Sequence, residues 1–245
     1  QFSDTNGRRV EIRDNATGRV LSAFEVAPSP PGSPPPVLAY NGERVVVVSP
    51  LGADPSSGFH SRLLIHDPGA TPAVREIPLG MICTSLALSR TGRSLAMATV
   101  RLIVDSAKAV DAERPPNSES SQSLEFRVSV FDLDSLREVL SLAMGDSPPS
   151  CLAMNGDESM LAVGRFDGRI QIIKTTTGQT ETTMKGASSL GSLAFSNRGD
   201  RLAAVGRDRL QLWQPRTRER VLSLELPHPR PGDYAFNPRV AFSDD

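Results

Sequence analysis

At 245 residues and a formal net charge of -1, the chain is long enough for one large domain or two smaller ones. It lacks the strongly basic footprint of a nucleic-acid-binding domain. Its best apolar run, residues 95–104, is broken by Arg101 and falls short of the roughly 18–20 residues of a membrane-spanning helix, so neither nucleic acid nor membrane is expected as a partner.

Of the 27 basic residues only Lys108, Lys174 and Lys185 are lysine, and prolines number 20, a bias expected of a GC-rich bacterial genome. No targeting segment is visible, but the chain opens on Gln1 inside a repeat. Localisation is therefore left open, with the cytoplasm favoured.

In chain order the elements are short strands, and they recur. Residues 1–26 hold two: Val10-Glu11-Ile12-Arg13-Asp14 and, past the turn at Thr17-Gly18, residues 19–24. A proline-rich stretch, 28–36, reads as an extended spacer. A four-strand unit then spans 37–79, from Val37-Leu38-Ala39-Tyr40 to Leu63-Leu64-Ile65-His66-Asp67 and beyond. The unit at 82–143 opens on Ser85-Leu86-Ala87-Leu88-Ser89 and carries Val128-Ser129-Val130-Phe131-Asp132.

The unit at 150–185 opens on Cys151-Leu152-Ala153-Met154-Asn155 and carries Ile170-Gln171-Ile172-Ile173-Lys174. The unit at 190–226 opens on Ser192-Leu193-Ala194-Phe195-Ser196 and carries Leu210-Gln211-Leu212-Trp213-Gln214. A last partial copy, 234–245, holds Val240-Ala241-Phe242-Ser243-Asp244. Turns rich in Gly, Asp, Asn and Thr join the strands, and helical periodicity is absent. Leu38, Leu86, Leu152 and Leu193 are 48, 66 and 41 residues apart, a period of about 40 with insertions.

These units resemble WD repeats, through the Leu-Ala-apolar opening and the ending Leu210-Gln211-Leu212-Trp213. The resemblance implies an all-β fold: a single β-propeller domain over 1–245, with four complete four-stranded antiparallel blades and a partial blade at the termini. The type is degenerate. The terminal Trp-Asp pair survives as Trp213-Gln214, Phe131-Asp132, His66-Asp67, Arg13-Asp14 and Ile173-Lys174, and the opening Gly-His pair is missing. Residues 1–24 are read as the third and fourth strands of a blade and 239–245 as its first, leaving its second strand missing. The chain is then a five-bladed ring or, the preferred reading, a segment of a larger propeller such as a seven-bladed one.

Elaboration is expected on one face. The connections between strands one and two and between three and four are short, whereas 51–60, 105–123, 28–36 and 227–238 all emerge at the opposite end. Long connections on a rigid scaffold often carry binding residues. The candidate contact residues there are Phe59, His60, Arg114, Arg165, Phe166, Arg169 and Arg207, with Asp208 beside them. Asp167 and Asp208 are assigned first to shaping their own turns.

No Walker loop, dinucleotide fingerprint, zinc-protease motif or nucleophile elbow occurs. No catalytic residue, cofactor or metal site is assigned. His66 is read as a packing or hydrogen-bonding residue, His60 and His228 as too isolated for a metal, and Cys83 and Cys151 as buried free thiols. The resemblance implies a protein- or peptide-binding scaffold or sensor within a larger bacterial protein, and bacterial chains of this kind are often joined to kinase or protease domains. The alternative is a carbohydrate-processing propeller using Asp54, Asp105, Asp146 and Asp208 around the central channel.

Overall fold

The computed structural model describes residues 2–4, 9–14, 16–26, 36–54, 58–67, 74–104, 122–227 and 238–243. These form strands and turns, and no helix among them is long and apolar enough to cross a membrane. The first sheet holds β1 (Phe2–Asp4), β2 (Arg9–Arg13) and β3 (Val20–Glu25). The second holds β4 (Val37–Tyr40), β5 (Val45–Asp54), β6 (Gly58–His66) and β7 (Val74–Leu79). The third holds β8 (Ile82–Leu88), β9 (Ser94–Val104), β10 (Gln122–Asp132) and β11 (Arg137–Ala143). The fourth holds β12 (Pro149–Met154), β13 (Met160–Arg165), β14 (Arg169–Lys174) and β15 (Thr180–Lys185). The fifth holds β16 (Ser192–Phe195), β17 (Leu202–Val205), β18 (Arg209–Gln214) and β19 (Glu219–Glu225). Every pairing is antiparallel between chain neighbours.

The sheets stack face to face in chain order, and the second strands of the second, third and fourth sheets are apolar on both sides. In β5, Val46 and Val48 join Cys83, Leu95 and Met97 of the third sheet, while Val45 and Val47 turn the other way to join Ile12 and Phe24 of the first. In β9, Ala96 and Ala98 join Leu161 and Val163 of the fourth sheet. Met160 and Ala162 in turn meet Leu202, Ala204 and Trp213 of the fifth. Such a strand has no solvent side, which is why it reads as a continuous apolar run. Polar locks cross the same seams. Glu158 accepts hydrogen bonds from the hydroxyls of Thr91 and Ser94, and the Asn41 amide donates to the Arg90 carbonyl at 3.0 Å.

Three expectations are corrected. The first sheet does contain its second strand, since β1 pairs with β2 through Phe2 opposite Ile12. Among the described residues it is the first strand that is lacking. Residues 238–243 form no strand; the Val240 N–H instead approaches the Ser192 hydroxyl of β16 at 3.4 Å, and no described residues of the two termini pair in one sheet. Finally, 51–54 and 58–60 are strand rather than loop. β5 and β6 continue as a paired ribbon, with Gly52 opposite His60 and Asp54 opposite Gly58, and β9 and β10 do the same out to Val104 opposite Gln122.

Candidate interaction face

The connections between second and third strands leave one end of every sheet, and their geometry varies along the chain. The second and third sheets project ribbons there, carrying exposed Leu51, Ile103 and Leu124. His60 is half-buried on the first ribbon, opposite Gly52. Phe59 lies opposite Ala53 in the same ribbon, and Arg114 lies outside the described residues. The apolar ribbon positions Ile103 and Leu124 were not singled out from sequence. Their signal is the alternation Leu124-Glu125-Phe126-Arg127-Val128, which extends a strand rather than ending it.

The fourth sheet ends in a tight turn, Phe166-Asp167-Gly168. Gly168 has φ +83, and a Cβ there would meet the Ala187 carbonyl oxygen at 2.8 Å, so only glycine fits. Asp167 braces the turn by accepting from the Arg169 backbone N–H at 3.0 Å and from Arg169 Nε at 2.6 Å. The Arg169 hydrogen bond pulls the Asp167 carboxyl down to about 2. The braced turn presents Phe166 with 58% of its surface exposed.

Arg165 is turned away from the surface. It is 7% exposed, and its guanidinium donates to the Met144 carbonyl oxygen of the preceding sheet, so it ties two sheets together. Burial is the main cause lowering its pKa; Arg169 adds to that and Asp167 opposes it.

In the fifth sheet the equivalent turn places Arg207 in solvent, its N–H bonded to the Ser188 carbonyl at 3.1 Å. Asp208 accepts from Ser188 Oγ at 3.0 Å and Arg209 Nε at 2.9 Å. Desolvation raises its pKa, but the hydrogen bonds from Arg209 and Ser188 outweigh it and leave the carboxyl lowered. Asp208 thus ties its turn to Ser188 in the connection between the fourth and fifth sheets. Asp146 is exposed, while Asp105 and the side chain of Asp54 lie outside the description.

Elsewhere, His66 is buried between the first two sheets, with Nε2 2.7 Å from Ser22 Oγ and its ring stacked on Phe24 at 4.7 Å. It packs and hydrogen-bonds, as its repeat position implied. Cys83 and Cys151 are free and buried, and burial pushes their thiols up to about 12 and about 11. The indole N–H of Trp213 has no hydrogen-bond partner among the described residues. No group of His, Cys, Asp and Glu suited to a metal occurs among the described residues.

No family model matches the chain, and no curated protein matches it. Solved structures do. The β-propeller domain of Cps50 (Swd1) from Myceliophteria thermophila superposes with a TM-score of 0.59 at 15% identity, over 93% of this chain and 70% of that one. A chain of the mitotic checkpoint complex superposes with a TM-score of 0.53 at 16% identity, over 77% of this chain and 50% of that one. This chain spans only part of either. With sheets paired strand to neighbouring strand and stacked in chain order, those likenesses give it the fold of a WD40-like β-propeller.

Proposed function

We propose that the chain is a non-catalytic platform for a protein or peptide, met at the end where the ribbons and the Phe166 turn project. The observation that carries this reading is that Leu51, Ile103, Leu124 and Phe166 are 43%, 42%, 57% and 58% exposed at the same end of three successive sheets. Apolar and aromatic side chains held out by braced backbone are what an interface core uses as anchors. Arg169 and Arg207 supply the charged rim. The fold has relatives in protein assemblies, one solved structure of this kind being of the mitotic checkpoint complex.

The test is capture of partners by the intact chain, by a chain shortened at 51–60 and 105–121, and by Phe166→Asp. Loss of partners on shortening and a drop of about tenfold or more with Phe166→Asp are expected of an anchor residue. Recovery of every partner by the shortened chain would remove this face from the proposal.

A further inference from the structure

A cleft of about 300 Å³ lies at the opposite end of the fifth sheet, where its two short turns meet, lined by Arg198, Asp200, Arg201, Gln214, Arg216 and Thr217. One change in the repeat sets its charge. The position that ends the third-strand motif is Asp14, Asp67 and Asp132 in the first three sheets, Lys174 in the fourth, where Glu181 pairs with it, and Gln214 in the fifth. In the second sheet Asp67 neutralises Arg44, which reaches it from the turn before β5, and takes Arg75 at 3.1 Å as well.

Arg201 holds the place of Arg44 in the fifth sheet, immediately before Leu202 as Arg44 is before Val45. It meets an amide instead of a carboxylate. With that amide oriented to satisfy both ends, Gln214 accepts from Arg201 Nη2 at 3.1 Å and donates to Thr217 Oγ1 at 3.1 Å. An amide oxygen takes the hydrogen bond without cancelling the charge. Asp200 is the single carboxylate lining the cleft; it stands 4.0 Å from Arg201 and already accepts the Ser196 hydroxyl at 2.9 Å. Arg198 and Arg216 are exposed, and no described hydrogen bond or ion pair holds either guanidinium.

Three guanidiniums against one carboxylate leave a net charge near +2. That balance suits a phosphorylated side chain, which carries about -1.5 to -2 at neutral pH, better than a lone carboxylate. Guanidinium forks bond phosphate oxygens two at a time, and Thr217, accepting from Gln214, keeps its own hydroxyl proton to donate. We propose that this cleft is a second binding site, separate from the ribbon face, for a phosphorylated side chain on a peptide, with Arg198, Arg201 and Arg216 on the phosphate oxygens.

The experiment titrates nitrogen-15-labelled protein with inorganic phosphate, with a Gly-Ser-Gly-phosphoserine-Gly-Ser-Gly peptide, and with its unphosphorylated form. Amide signals of 198–201 and 214–218 are expected to move with the first two and stay with the third. Gln214→Asp restores the carboxylate of the first three sheets and should weaken binding about tenfold, with Arg198→Gln and Arg216→Gln each weakening it severalfold. Circular dichroism of the variants should match the parent. Equal response to both peptides, movement confined to other residues, or unchanged binding by Gln214→Asp would overturn the site. Response to inorganic phosphate alone would overturn its assignment to a peptide.

Discussion

Asp167 shows how one residue both builds the presenting turn and makes it sensitive to acid. Its carboxyl is held at about 2, chiefly by Arg169, against an ordinary value of 3.8. A depressed folded-state value means that the stabilisation is complete above about pH 4 and is lost as the pH falls through about 2. Because 34% of the side chain is exposed, solvent screening keeps the contribution below about 1 kcal/mol. Asp167→Asn is therefore expected to lower stability by at most that amount at pH 7, with the difference gone near pH 2, as read from urea midpoints along the pH series. A difference that persists unchanged into acid would mean that Asp167 acts through the shape of the turn alone. Arg165, two residues earlier, shows the limit of reading single residues: it borders the exposed Phe166 and Asp167, yet it is buried with its guanidinium on the Met144 carbonyl just after β11.

At the scale of the strand, the fold was legible because the second strands of the middle sheets, packed on both faces, must be apolar on both. Leu-Ala-Met-Ala in β9 and Leu-Ala-Val in β13 advertise that requirement. The ribbons were not legible. Pro50 reads as a strand end, yet it sits beside the register shift between Pro50 and Gly52, where a missing N–H is tolerated. β1 is three residues long and has no periodicity to read, so only its pairing with β2 defines it. Gly164 at the end of β13 tests the tightness of this packing. A Cβ there would lie 2.5 Å from Cys151 Sγ and 3.2 Å from a Leu193 methyl. Overpacking of this kind costs about 1–3 kcal/mol, which is expected for Gly164→Ala in denaturant unfolding. Adding Cys151→Ala should return part of that loss through coupling; strict additivity would show that the strain falls elsewhere.

Across the whole molecule each sheet is covered by the next, so burial at a given repeat position depends on whether a neighbour follows. Met184 pairs with Ile170 in the fourth sheet, and Leu224 pairs with Leu210 at the same place in the fifth. Met184 is 4% exposed beneath the fifth sheet, whereas Leu224 is 47% exposed. The stability of stacked repeats is close to a sum of unit and neighbour terms, so the same substitution should have unequal effects at these two places. Met184→Asp buries an unpaired charge and is expected to cost at least about 3 kcal/mol. Leu224→Asp leaves its charge in water and is expected to cost under about 1 kcal/mol. Urea unfolding of the two variants at several protein concentrations makes the comparison. A similar large cost at both positions, rising with protein concentration for Leu224→Asp, would show that a second copy of the chain covers the outer face of the fifth sheet. The unequal result, independent of protein concentration, would place the Leu224 side chain in solvent.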